Sequence, residues 1–185
     1  MSKVALSGNA SGTGTFTIAS PNSNSDRTLT LPDNTGTLIT TASTFAGTGP
    51  AFSAAQTTSQ TFSSSTSTKV TLNSEEFDTN NFFDSTTNYR FTPTVAGYYQ
   101  FNFAALPPSA SRAGEVQIIL YRNGGAFKSG NDIQSTASII LTGSALGYAN
   151  GTTDYFELYL YVQTGGTVTG VGLQTYFQGF LARAA

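Results

Sequence analysis

A chain of 185 residues with 38% hydrophobic content, including 14 Phe and 9 Tyr, has enough large apolar side chains to fill one core of ordinary size. Its 8 basic and 10 acidic residues give a net charge of -2, which excludes the basic footprint of a nucleic-acid binder and the polybasic face of a protein held on anionic membranes. With no His and no Cys there is no Ser–His–Asp or Cys–His relay and none of the usual ligands for zinc or haem, so no cofactor is expected.

Met1-Ser2-Lys3-Val4-Ala5-Leu6 turns polar too soon for a signal peptide, and no stretch approaches the roughly 20 apolar residues that span a bilayer, so a soluble product is expected. Residues 1–49 read as a separate piece, with short runs at Gly14–Ile18, Arg27–Leu31 and Gly36–Ile39 turned by Pro21-Asn22 and Pro32-Asp33. Such short strands bury too little surface to fold alone, so this segment needs a partner surface or copies of itself. The linker is Ala42-Ser43-Thr44-Phe45-Ala46-Gly47-Thr48-Gly49-Pro50, and the main domain, residues 50–185, starts near Pro50.

Beyond it, alternation with period two dominates, and the class is all-β. Strands are predicted at Thr68–Leu72, Tyr89–Thr92, Tyr98–Phe103, Val116–Arg122, Ser138–Leu141, Tyr155–Val162, Thr167–Val171 and Thr175–Leu181. In Tyr98–Phe103 the residues Tyr99, Phe101 and Phe103 form one apolar face and Gln100 and Asn102 lie on the other. Tyr155–Val162 is apolar on both faces: Phe156, Leu158, Leu160 and Val162 supply a core, while Tyr155, Tyr159 and Tyr161 form an aromatic face that a partner subunit would cover. The loops Thr57–Thr66, Pro107–Gly114 and Ala145–Thr153 are polar and uncharged, which suits either a neutral host surface glycan or the plain solubility of a crowded particle surface.

The order Pro50-Ala51-Phe52-Ser53-Ala54, Val95-Ala96-Gly97-Tyr98-Tyr99-Gln100-Phe101, Leu120-Tyr121-Arg122-Asn123-Gly124, Tyr155-Phe156-Glu157-Leu158 and Tyr176-Phe177-Gln178-Gly179-Phe180-Leu181 resembles the globular head of the complement-q and tumour-necrosis-factor superfamily over residues 50–185. The resemblance implies a ten-stranded jelly-roll sandwich of two sheets that assembles as a homotrimer. One departure is Thr152-Thr153-Asp154, where the family often has Gly-Asp before its Tyr-Val-Glu-Leu strand. The amino-terminal runs Ser7-Gly8-Asn9-Ala10-Ser11-Gly12, Asp26-Arg27-Thr28-Leu29-Thr30-Leu31-Pro32-Asp33 and Thr35-Gly36-Thr37-Leu38 resemble a module near the amino end of bacteriophage tail-fibre and other virion proteins.

Glu75, Glu76, Asp78 and Asp84 are the densest acidic cluster and offer the oxygen ligands that Ca2+ takes. No Asp-x-Asp-x-Asp-Gly loop frames them, so they read as a solvated loop with calcium as the weaker alternative. Glu115 with Glu157, or Asp132 with Asp154, pair only on paper as a glycosidase acid and base, and no enzyme is expected. Arg90, Arg112, Arg122 and Lys128 are too scattered for a nucleic-acid stripe and read as members of surface ion pairs. The two resemblances imply a virion structural protein: a trimeric knob that residues 1–49 fasten to other virion proteins, as a capsid decoration or short head fibre. The alternatives are a receptor-binding tip of a tail fibre and a secreted adhesion or signalling head.

Overall fold

The computed structural model describes residues 49–134, 139–170 and 172–185, together with 11–15, 17, 19, 22–26 and 28. The chain divides into two compact units, Met1–Leu38 and Ile39–Ala185. In the first, the described residues are exposed, and Ser25 donates its backbone N–H to Ser23 Oγ at 3.1 Å. The strands predicted at Gly14–Ile18, Arg27–Leu31 and Gly36–Ile39 lie largely or wholly outside the described residues.

The second unit is built from β1 (Ala51–Ala55), β2 (Gln60–Phe62), β3 (Thr66–Lys69), β4 (Ser74–Asp78), β5 (Phe83–Asp84), β6 (Arg90–Phe91), β7 (Gly97–Ala105), β8 (Glu115–Arg122), β9 (Gly125–Gln134), β10 (Leu141–Ala149), β11 (Phe156–Val162), β12 (Gly166–Val168) and β13 (Tyr176–Ala184), with a 3-10 turn at Ser109–Ala113. The first sheet runs β10-β7-β13-β1-β4 and the second β5-β6-β11-β8-β9, with β3 also paired to β11. Every strand pair is antiparallel. The described strands exceed the ten implied by resemblance, since β2 and β12 form a ribbon apart from both sheets and β5 and β6 are two-residue pieces.

The two sheets meet across an aromatic core. From the first come Phe52, Tyr99, Phe101, Phe103 and Phe177, and from the second Phe83, Phe91, Phe156, Leu158 and Leu160. Phe52 stacks on Phe91 at 4.3 Å, and Phe101 meets Phe156 at 4.5 Å. The second contact follows from the period-two alternation of β7 and β11, which sends Tyr99, Phe101, Phe103 and Phe156, Leu158, Leu160, Val162 inward. Each such ring, fully buried, stabilises the fold by about 1.5–3 kcal/mol relative to exposure.

Two of the predicted loops hold strand, and β2 with the first residue of β3 falls within Thr57–Thr66. Ala145–Thr153 was expected to be exposed coil, but residues 145–149 belong to β10, which pairs with β7 along its whole length. Its inward residues are Leu141, Ala145, Gly147 and Ala149, while Leu146 and Tyr148 point out, so beyond Leu141 the large apolar residues occupy the outward positions. Beyond Leu141 the inward positions must be small because the core aromatics already fill that space: a Cβ on Gly143 would lie 2.1 Å from the Phe103 ring.

Candidate functional site

The outward face of the first sheet carries a cluster of exposed apolar side chains. On it Tyr98 of β7 is paired in register with Tyr148 of β10, and Gln100 lies between Leu146 and Phe180 of β13. The Tyr98 and Tyr148 rings sit 5.4 Å apart. Leu146 (53%), Phe180 (48%), Tyr98 (44%) and Tyr148 (41%) are all substantially exposed, and they stand together on one face. A hollow of about 710 Å³ lies beside them, lined by Tyr98, Leu146 and Tyr148 and closed by the carboxy-terminal residues Ala182 to Ala185. Towards the other end of β7 the same face turns polar, with Asn102 between Ser144 and Gln178. A patch of large apolar side chains with a polar margin is the pattern of a protein–protein contact.

The tyrosines expected to form a contact face lie on the second sheet and are half-buried within the protomer. Tyr159 is stacked on Tyr121 of β8 at 3.8 Å, and its hydroxyl is pushed to a higher pKa by burial and then by the neighbouring Glu157. Tyr155 lies under the Arg90 guanidinium at 4.3 Å. Much of the area that a partner would have covered is therefore occupied by the protomer's own side chains. Leu146 and Tyr148, in a stretch that reads as a loop, carry no sequence signal of an outward apolar position. For Phe180 the alternation of Tyr176–Leu181 was a usable signal, because Phe177 and Gly179 point inward.

The four acidic candidates are each bound to a neighbouring segment. Glu75 Oε1 accepts the Ser85 hydroxyl at 2.5 Å, and Glu76 Oε2 that of Ser53 at 2.7 Å. Asp78 accepts the backbone N–H groups of Phe83 (2.6 Å) and Asn80 (3.2 Å). Asp84 closes the turn between β5 and β6, where the N–H of Thr87 holds its carboxyl well below the usual carboxylate range, helped by Thr86 and Asn88 and opposed by desolvation. Among the described residues no three His, Cys, Asp or Glu side chains converge.

Three of the four carboxylates that pair on paper are separately engaged. Glu157 is buried and ion-paired with Lys69 at 2.5 Å. Asp154 accepts from Asn123 Nδ2 (2.7 Å) and from the backbone of Asn150 (2.9 Å), and Asp132 from Gln117 Nε2 (3.0 Å). The cations expected in surface ion pairs rest instead on aromatic rings, Arg90 on Tyr155 and both Arg122 and Lys128 on Phe127. The side chain of Arg112 is outside the described set.

This sandwich is a known one. The globular domain of zebrafish complement 1qA protein superposes with a TM-score of 0.54 at 23% identity, covering 74% of this chain and 99% of its own. Murine APRIL gives 0.57 at 8% identity, covering 72% and 98%, and Eiger TNF from S. frugiperda gives 0.55 at 8%, covering 74% and 93%. The head thus has the jelly-roll fold of the complement-q and tumour-necrosis-factor-like heads. At these identities the fold is what is shared. No protein-family model matches the sequence, and no curated protein matches it.

Proposed function

We propose that the chain is a bacteriophage virion structural protein: a homotrimeric knob, fastened to other virion proteins through residues 1–49, that decorates the capsid or forms a short head fibre. The observation that carries the knob is the cluster of Tyr98, Leu146, Tyr148 and Phe180, four large side chains left in water by a single copy. Covering a half-exposed side chain of this size contributes on the order of 1 kcal/mol, and three copies bring twelve of them together. We propose that the trimer interface uses this face of the first sheet, in preference to Tyr155, Tyr159 and Tyr161; the exposure of the four side chains supports this choice. Threefold symmetry is what the resemblance to the superfamily head implies. Attachment to a particle is supported by the likeness of residues 1–49 to phage fibre and virion modules. The uncharged Ser, Thr and Asn surface suits a crowded particle.

The test is an image of the phage particle with the protein labelled by a specific antibody. Label over the capsid supports the proposal. Label at the tail tip establishes the second reading, a receptor-binding tip, which the polar groove described below favours. Absence from particles overturns both. A stable monomer at micromolar concentration, measured by mass in solution, would remove the trimeric knob.

A further inference from the structure

At the edge of the head away from the apolar patch lies a groove of about 630 Å³, lined by Glu75 of β4, Phe82, the turn after Asp84, Arg90 of β6, and Thr92 and Thr94. That volume falls in the range of roughly 300–1,000 Å³ typical of small-ligand sites. β4 ends the first sheet and β5 the second, whereas the patch lies on β10, β7 and β13, so groove and patch stand on different strands.

The groove contains a cation whose natural partner is taken. Asp84 and Arg90 are register partners on adjacent strands, a placement that ordinarily gives an ion pair. Here Asp84 Oδ1 accepts the N–H groups of Thr86 (3.0 Å) and Thr87 (2.9 Å) and the Thr86 hydroxyl (3.0 Å), while Oδ2 accepts the N–H (3.1 Å) and Nδ2 (2.7 Å) of Asn88. A carboxylate has about four lone-pair sites, and five donors saturate it. Arg90 therefore has neither an ion pair nor a side-chain hydrogen bond among the described residues. Its position is nonetheless constrained, because its Cζ lies over the Tyr155 ring at 4.3 Å. A half-buried arginine held against a ring, with no protein acceptor for its donors among the described residues, is arranged to meet oxygen acceptors.

The other lining groups narrow the ligand. Glu75 has one oxygen on Ser85 and a second to offer, so it accepts where Arg90 donates. Thr92 and Thr94 add hydroxyls, and Phe82, packed at 6.3 Å from Phe91, adds an apolar surface. A free anion would meet Glu75 and Asp84, a cation would meet Arg90, and an apolar ligand would leave the polar lining unpaired. Sugar hydroxyls both donate and accept, and the C–H groups of a sugar ring pack on the electron-rich face of an aromatic ring. We propose that this groove binds a neutral saccharide, held between the Arg90 guanidinium and the Glu75 carboxylate. The proposal does not rest on the virion reading.

The full chain, labelled with 15N, would be titrated with the methyl glycosides of glucose, galactose, mannose and N-acetylglucosamine, followed by amide chemical shifts. The expected result is saturable shifts over 81–94 with at least one of them, weakened about tenfold or more by R90M and by E75Q and unchanged by R122M, which alters a cation on Phe127 outside the groove. If R90M loses the Tyr155 contact and unfolds, E75Q and T94V decide. The proposal is overturned by no saturable shift with any glycoside, by shifts confined to other residues, or by folded variants that bind like the parent. Binding of methyl glucuronide with none of the neutral glycosides would overturn the ligand class.

Discussion

Tyr99 shows how one side chain can satisfy the core and still carry a polar atom. Its ring is fully buried between Phe91 and Phe101, and its hydroxyl donates to the Val95 carbonyl at 2.8 Å. Burial pushes its pKa up to about 12, because the phenolate would lose water without gaining a donor. The unfolded chain ionises near pH 10 and the folded one does not, so the stability that the neutral phenol contributes is complete below pH 10. It falls as pH rises from there towards 12, by roughly 2 kcal/mol. Urea denaturation across that interval should show this loss, and Tyr99→Phe should flatten it. An unchanged slope in the variant would show that another group titrates. The alternation of Tyr98–Phe103 is enough to place this ring inside, whereas its hydrogen bond depends on where the Val95 loop falls.

At the scale of elements, β7 and β11 were legible because large apolar residues alternate with polar ones or with tyrosines. β10 was not. Beyond Leu141 its inward positions are small because Phe103 from β7 and Phe101, Phe127 and Phe156 from three strands press against Gly143 and Gly147. No local pattern reports that crowding. Gly143 also faces Gly130 of β9, whose Cα would lie 3.0 Å from a Cβ added there, so the two sheets close against each other at this seam. Gly143→Val should therefore destabilise the head by about 1–3 kcal/mol or more through overpacking, read as a lowered denaturation midpoint. Ser144→Thr, one position along, facing out and keeping the hydroxyl that accepts from Gln100 Nε2 at 2.8 Å, should cost little. Equal losses would indicate a general effect of branching in the strand.

The outward face of the first sheet and the tyrosine face of the second make opposite predictions for assembly. Phe180→Glu places a charge among Tyr98, Leu146 and Tyr148, and burying it against a second copy without a partner would cost several kcal/mol, so the variant should sediment as a folded monomer. Tyr161→Glu, on the second sheet, should leave the assembly at the parent mass. The reverse outcome would return the interface to Tyr155, Tyr159 and Tyr161. Circular dichroism of both variants separates loss of assembly from loss of fold.

The sequence by itself determined the all-β class, the inward sets of β7 and β11, and the likeness of residues 50–185 to a superfamily head, because these rest on side-chain alternation and residue order along the chain. It also excluded His- and Cys-based chemistry, since composition needs no coordinates. Which aromatic face stays open, why β10 is a strand, and why Arg90 stands unpaired beside Asp84 were decided only in the tertiary structure. Each depends on what a distant segment brings to the same place: Tyr121 onto Tyr159, Phe103 onto Gly143, and Tyr155 under Arg90.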